Sequence, residues 1–251
     1  MSLAGATIFD AIDNPGIWAR WFRDKSTWRG WFTFLRILFG LEFGVEDLEL
    51  YCQCTGRSTP PMGGVNEAWL VCGRRAGKSF ILALISVFLA AFYDWRPFLT
   101  PGERATIMVL AADRRQARVI FRYARALLQE VPALAALVER AVDEQIDLDN
   151  GVSIEISAAS YRTVRGYTLV AALCDEIAFW HSEDGANPDE EILSALRPAM
   201  ATIPGAMLLC ASSPYARRGA LWSAYRRNWA QDGPVLIWQA ATRTMNPHQK
   251  A

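Results

Sequence analysis

The sequence predicts an α/β domain built on a doubly wound, mostly parallel central sheet with helices on its faces. Three observations predict it. From residue 68 to residue 240, short apolar runs alternate with stretches of helical periodicity. The runs 169–174 and 207–211 are apolar throughout, the pattern of strands covered on both faces. A glycine-containing turn separates the first run from an apolar helix, a common strand-to-helix junction in such sheets.

Taken in order, residues 15–45 carry Trp18, Trp21, Phe22, Trp28, Trp31, Phe32, Leu35, Leu38 and Phe39 at spacings of three and four. That spacing predicts amphipathic helix in two segments broken near Ser26. Packing against the main domain is the plain expectation, and a protein-interaction surface is the alternative. Residues 55–66 are rich in Pro, Gly, Ser and Thr and read as a loop. A strand is expected over 68–72, then a helix over 78–93. The apolar run 80–93 holds 14 residues, too few to span a bilayer, and reads as a buried helix. Further expectations are a strand over 105–111, a helix over 114–129, and a hairpin over 144–158 turning at Asp149, Asn150 and Gly151. Helices follow over 188–198 and 219–229, with a last strand over 235–240. No internal repeat or low-complexity tract is seen.

Of the 251 residues, 52% are hydrophobic, enough to furnish a sizeable core and to argue against large-scale disorder. Basic and acidic residues balance at 26 each, so the overall charge gives no support for tight, autonomous nucleic-acid binding. Lysine is confined to Lys25, Lys78 and Lys250; the other basic residues are arginine. Arg114, Arg115, Arg118, Arg122 and Arg125 on the 114–129 helix read as a solvated face rather than a DNA track. Cys52 and Cys54 form a lone C-x-C with no second pair or histidine at ligand spacing, which argues against zinc. Cys72, Cys174 and Cys210 lie in apolar runs as small hydrophobes. A reduced, intracellular protein without signal peptide is the expectation. His181 and His248 are isolated and receive no role.

Chemistry concentrates in three motifs. Cys72, Gly73, Arg74, Arg75, Ala76, Gly77, Lys78 and Ser79 lie between a strand and a helix. A nucleoside triphosphate needs backbone N–H groups and a helix N-terminus aimed at its phosphates. It needs a lysine for the β- and γ-phosphates and a hydroxyl for Mg2+. Gly77, Lys78 and Ser79 supply these at the right offsets, although Cys72 stands where the first glycine of the pattern usually does. The second motif is the apolar strand 169–174 ending in Asp175 and Glu176. Asp175 is placed to hold Mg2+ through water and Glu176 to polarise the attacking water. Neighbouring side chains on a strand face opposite ways, so a turn at the strand end must bring both to the nucleotide. The third is a strand ending in Ser212, Ser213 and Pro214, whose hydroxyls can sense the γ-phosphate.

Phosphate loop, strand plus Asp-Glu and strand plus Ser-Ser-Pro, in this order, resemble the ATPase half of phage and herpesvirus large terminases. That family often lacks the first glycine and carries an arginine four residues before the lysine, here Arg74. It carries an Arg-Gly pair about ten residues before the acidic pair, here Arg165 and Gly166. The tryptophan-rich entry helices, Thr55, Gly56 and Arg57, and the exit at Met245, Asn246 and Pro247 are also similar. The resemblance implies a P-loop NTPase of the ASCE, RecA-like type, with residues 1–60 as an N-terminal helical extension packed on a core at 61–251. Residues 235–251 are then the start of a link to a nuclease domain absent from this chain, and no nuclease activity is expected here.

The resemblance further implies that Arg74 contacts phosphates within its own subunit and that Arg165 reaches the neighbouring subunit's nucleotide. Tyr51 and Gln53 stand where related ATPases place adenine-recognising residues. The expected cofactors are ATP and Mg2+. The expected partners are double-stranded DNA, the portal protein, the small terminase subunit and further copies in a ring, with a monomer in isolation and no membrane. The expected location is the host cell cytoplasm, transiently at the procapsid portal. Two other readings stay open. One is a nucleotide-binding assembly module with negligible turnover in isolation. The other is a P-loop phosphotransferase, which the Asp-Glu pair disfavours, because a water-activating glutamate would waste ATP.

Overall fold

The computed structural model describes residues 5–160, 166–180 and 188–249. Among these, eight strands form one sheet: β1 (Glu67–Cys72), β2 (Ala105–Ala111), β3 (Val138–Val142), β4 (Gln145–Leu148), β5 (Val152–Ala158), β6 (Thr168–Asp175), β7 (Met207–Ser212) and β8 (Val235–Ala240). Their order is β3-β4-β5-β2-β6-β7-β1-β8. The six strands from β5 to β8 run parallel, while β4 is antiparallel to both β3 and β5. The sheet is therefore mixed and mostly parallel. One strand, β7, separates β1 from β6, which spaces the ends of those two strands by the width of a single strand.

The period-2 geometry of a strand divides each parallel strand between two helical layers. Ala68, Leu70 and Cys72 of β1 point to one face, and Trp69 and Val71 to the other. The first face is covered by α2 (Arg29–Leu38), α4 (Lys78–Phe92) and α5 (Arg114–Gln129); the second by α7 (Pro188–Met200) and α8 (Gly219–Asn228). Helix α4 is apolar nearly all round because it is buried nearly all round. One side lies on the sheet, and the other meets the N-terminal aromatics: Trp18 against Phe92, Phe22 and Trp28 against Phe80, Phe39 against Phe88.

The N-terminal segment departs from the sequence expectation. Residues 15–25 form no α-helix. Pro15 holds Asn14 in extended backbone (φ −78°, ψ 120°), ending α1 (Ile8–Asp13), and only short 3₁₀ turns follow at Ala19–Trp21 and Lys25–Trp28. Asp24 caps the second turn through Ser26, so the expected break is where the helix α2 is introduced rather than where one is interrupted. A helix α3 (Val45–Thr55) fills a stretch that carried no strong periodicity, closed by Gly56 in the left-handed region.

The hairpin at 144–158 is present as β4 and β5, turning at Gly151 (φ +82°), but β5 also joins β2 in parallel and so extends the main sheet. By sequence, the hairpin's acidic residues Asp143, Glu144, Asp147 and Asp149 read as solvated surface, and the structure corrects one of them. Asp143, Glu144 and Asp149 are exposed, whereas Asp147 is buried and accepts from Ser153 Oγ (2.6 Å) and Gln145 Nε2 (2.8 Å). Two short helices complete the described chain, α6 (Pro132–Ala135) and α9 (Thr242–Met245). No helix is long and apolar enough to cross a membrane among the described residues.

Candidate nucleotide site

At the carboxyl edge of the parallel sheet, β1 ends on buried Cys72, whose thiol is pushed up to about 12 by burial. The chain then turns through Gly73 to Gly77 and enters α4 at Lys78. Two left-handed residues make the turn, Arg75 (φ 62°) and Gly77 (φ 99°), and the N-terminus of the fifteen-residue α4 faces the space they enclose. Lys78 is only 5% exposed. Its ammonium donates to the carbonyls of Cys72 (3.1 Å) and Gly73 (3.3 Å) and to Ser213 Oγ (3.0 Å), and it pairs with Glu176 Oε1 at 3.1 Å.

The acidic pair terminates β6, with β7 between it and β1. Asp175 stays in the strand, and Glu176 adopts left-handed backbone (φ 51°, ψ 43°), unusual for a non-glycine residue. That reversal carries both carboxylates to the same end of the sheet, as the sequence requires. Glu176 Oε2 accepts from Ser213 N (2.8 Å) and Ser212 Oγ (3.1 Å), while Oε1 accepts from Ser213 Oγ (3.2 Å). The three motifs are thus joined in one polar network, because β7 lies between β1 and β6.

Asp175 Oδ2 accepts from Ser79 Oγ (2.8 Å) and from Gln116 Nε2 (3.1 Å). Its Oδ1 is buried and has no hydrogen-bond partner among the described residues. Burial holds the Asp175 carboxyl above its ordinary range despite the Ser79 bond. An orphaned carboxylate oxygen beside a serine hydroxyl is a donor set of hard oxygens, which fits Mg2+. Gln116 was not foreseen from sequence; its position on α5, three residues after the capping Asp113, becomes meaningful only where β2 and β6 pair.

The remaining expected residues divide. Arg74 and Arg75 are exposed at the loop, with the Arg74 guanidinium 6.0 Å from the Phe179 ring, and Ala76 is buried. Arg165 lies outside the described residues. Tyr51 is fully buried and donates to the Thr59 carbonyl (3.0 Å), so its hydroxyl is committed to the loop after α3. Gln53 is exposed and lines a cleft of about 300 Å³ with Arg29, Glu46, Thr244 and Pro247. Arg57 clamps the start of β8 through the carbonyls of Gly233 and Val235. The five arginines of α5 are exposed. A larger cavity of about 490 Å³ sits at the opposite, amino-terminal end of β1, β7 and β8, away from this chemistry.

A mostly parallel sheet, a lysine-serine helix start on one strand and an Asp-Glu end on the next strand but one define the class: a P-loop NTPase domain of RecA-like type. Residues 70–187, from the phosphate loop through the acidic pair, match the family model "Terminase large subunit, T4likevirus-type, N-terminal". That match takes in just under half of the 251 residues, and makes this stretch similar to the N-terminal part of T4-like phage large-terminase subunits. A search of curated protein sequences finds no significant match.

Solved structures show the same fold. The HK97 bacteriophage large terminase superposes with a TM-score of 0.55 at 20% identity, over 70% of this chain and 35% of that one. The chain therefore spans about a third of that relative's length. The Thermus phage P74-26 large terminase ATPase domain gives a TM-score of 0.55 at 16% identity, over 84% of this chain and 86% of that one.

Proposed function

We propose that this chain hydrolyses ATP with Mg2+ as the motor domain of a large terminase, driving double-stranded DNA into a procapsid. The observation that carries the reading is Glu176, turned by a left-handed backbone onto Lys78, Ser212 and Ser213. One residue there touches the phosphate-binding lysine and the sensing turn and adjoins the Asp175 carboxylate.

In this reading, Lys78 and Arg74 hold the phosphates, and the N–H groups of residues 73–79 cradle them. Ser79 and Asp175 would hold Mg2+, which would supply positive charge to offset the negative charge developing on the phosphates. Glu176 orients the attacking water and accepts its proton. For that it must release Lys78 and the two serines, so the network seen here is the resting arrangement. Regaining Ser212 and Ser213 after phosphate departs would move the β7 turn and couple hydrolysis to motion. Gln53 sits beside the 244–247 segment, in a cleft suited to the adenine edge. Arg165 acts on a neighbouring subunit's nucleotide.

The reading includes a homo-oligomeric ring at the portal protein, a small terminase subunit as partner, and transient residence at the procapsid in the host cytoplasm. It assigns no DNA cleavage to this chain; the acidic residue of the 143–149 group that is buried, Asp147, is consumed by Ser153 and Gln145. The competing reading, an assembly module that binds nucleotide without turnover, is supported by the same closed Lys78–Glu176 pair.

Steady-state phosphate release with Mg2+, measured against protein concentration for the parent chain, Glu176→Gln and Arg165→Ala, tests the proposal. Hydrolysis that rises more than linearly with concentration and is lost in both variants supports it. Flat, near-zero release with retained ATP binding supports the assembly module. Release unaffected by either variant overturns the site.

A further inference from the structure

Phosphate loops work by aiming backbone N–H groups inward. In a trans peptide the carbonyl points opposite to the next residue's N–H, so fixing the carbonyl fixes the donor. No cis peptide is present among the described residues. Three consecutive carbonyls of this loop are held from outside by side chains of other elements. Thr242 Oγ1 donates to the Arg74 carbonyl (3.1 Å), Asn246 Nδ2 to the Arg75 carbonyl (2.9 Å), and Trp31 Nε1 to the Ala76 carbonyl (2.7 Å). The N–H groups turned the other way are therefore those of Arg75, Ala76 and Gly77.

The fit is close on every side. A Cβ on Gly73 would collide with Thr242 Oγ1, so this glycine is what lets the threonine approach. A Cβ on Gly30 would lie 2.6 Å from the Thr244 carbonyl, so α2 rests flush on α9. Met245 is buried and takes the Trp238 indole N–H on its sulfur (3.5 Å), anchoring the turn to β8.

We infer that Thr242 and Asn246 are positioning residues for the phosphate loop, and that through them the 242–249 segment senses whether the loop holds a triphosphate. Neither side chain need touch nucleotide. They orient its donors, and any change of loop conformation on binding is transmitted to the segment that follows β8. The inference rests on the proposed nucleotide site and adds to it a mechanical link out of that site.

The test compares the parent chain with Thr242→Val, Asn246→Ala, their double variant and Thr242→Ser. Two readouts are taken: affinity for a fluorescent ATP analogue with Mg2+, and amide hydrogen exchange with and without nucleotide. Each single loss should weaken binding about two- to tenfold, the worth of one hydrogen bond, and the double variant more. Thr242→Ser, which keeps the hydroxyl, should restore parent affinity. Without nucleotide, amides of 75–77 should exchange faster in the double variant. With nucleotide, exchange in 242–249 should change in the parent and not in the double variant.

Equal affinities together with identical exchange would overturn the inference. A parent chain that binds no nucleotide would instead sink the proposed function. The nucleotide-free exchange at 75–77 would then still decide whether the tether orders the loop.

Discussion

Replacing Glu176 with Gln should do three things at once, with signs that only the observed network explains. Lys78 is nearly buried, and its one direct ion pair among the described residues is with Glu176, whose side chain is 18% exposed. At 3.1 Å and an effective dielectric near 20, the attraction is about 5 kcal/mol before desolvation is subtracted. Gln keeps an acceptor for Ser213 N and Ser212 Oγ, but puts either a neutral oxygen or an N–H donor toward the ammonium. The net loss should be about 1–3 kcal/mol in the nucleotide-free protein, below the full cost of orphaning a buried charge because three oxygen acceptors remain.

Nucleotide binding should move the other way. In the parent chain Lys78 must leave Glu176 before it serves a phosphate, and in Glu176→Gln that opposing interaction is gone. Affinity for Mg2+-ATP should tighten about five- to thirtyfold, corresponding to about 1–2 kcal/mol. Hydrolysis should fall by a factor on the order of 10² or more, as for loss of a general base. Calorimetric melting without nucleotide, titration with a fluorescent ATP analogue and phosphate release give the three numbers. Weaker or unchanged ATP binding, with an unchanged melting temperature, would refute the claim that the Lys78–Glu176 pair competes with nucleotide.

Three further outcomes are expected. Glu67 is partly buried, and although burial opposes it, the bidentate contact with Arg197 (2.9 Å twice) and the Trp69 bond hold its carboxyl below the usual range. A depressed folded pKa means that the stabilisation is present above the unfolded value and disappears as pH falls through the folded one. The urea stability gap between parent and Glu67→Gln, about 1 kcal/mol at neutral pH given the exposure of Arg197, should therefore close on acidification below pH 4. Gln116→Leu removes a donor from Asp175, and should raise the Mg2+ concentration needed for half-maximal nucleotide binding several-fold while leaving Mg2+-independent binding intact. Among the cysteines, Cys52 is partly exposed and the other four are buried, Cys54 and Cys72 with thiols pushed up to about 12 by burial. A colorimetric thiol reagent should titrate one cysteine promptly in the native protein and all five only after denaturation.

Much of this molecule was legible in one dimension because its signals are local. The apolar runs of β1, β2, β6 and β7 are buried on both faces, so their composition alone announces central strands. The order Lys78, Asp175, Ser212 is likewise written in the chain, each residue sitting where a strand gives way to a turn. The N-terminal region was less readable. Tryptophan spacing suggested helix over 15–25, yet Pro15 and the Asp24–Ser26 cap impose short turns, and the aromatics are spaced for packing on α4 rather than for helical continuity. Asp147 looked like a surface charge in a hairpin because nothing nearby in sequence shows that β5 would pair with β2 and enclose it.

What the sequence by itself determined is the set of chemical groups and the alternation that makes an α/β sheet. What only the tertiary structure decided is which groups meet. Gln116 reaches Asp175 across 59 residues, Lys78 reaches Ser213 across 135, and Asn246 reaches the Arg75 carbonyl across 171. Such contacts depend on strand order, with β7 set between β1 and β6 and β8 beside β1. Strand order is fixed by the burial of two whole sheet faces at once, a collective property that no short window of sequence contains.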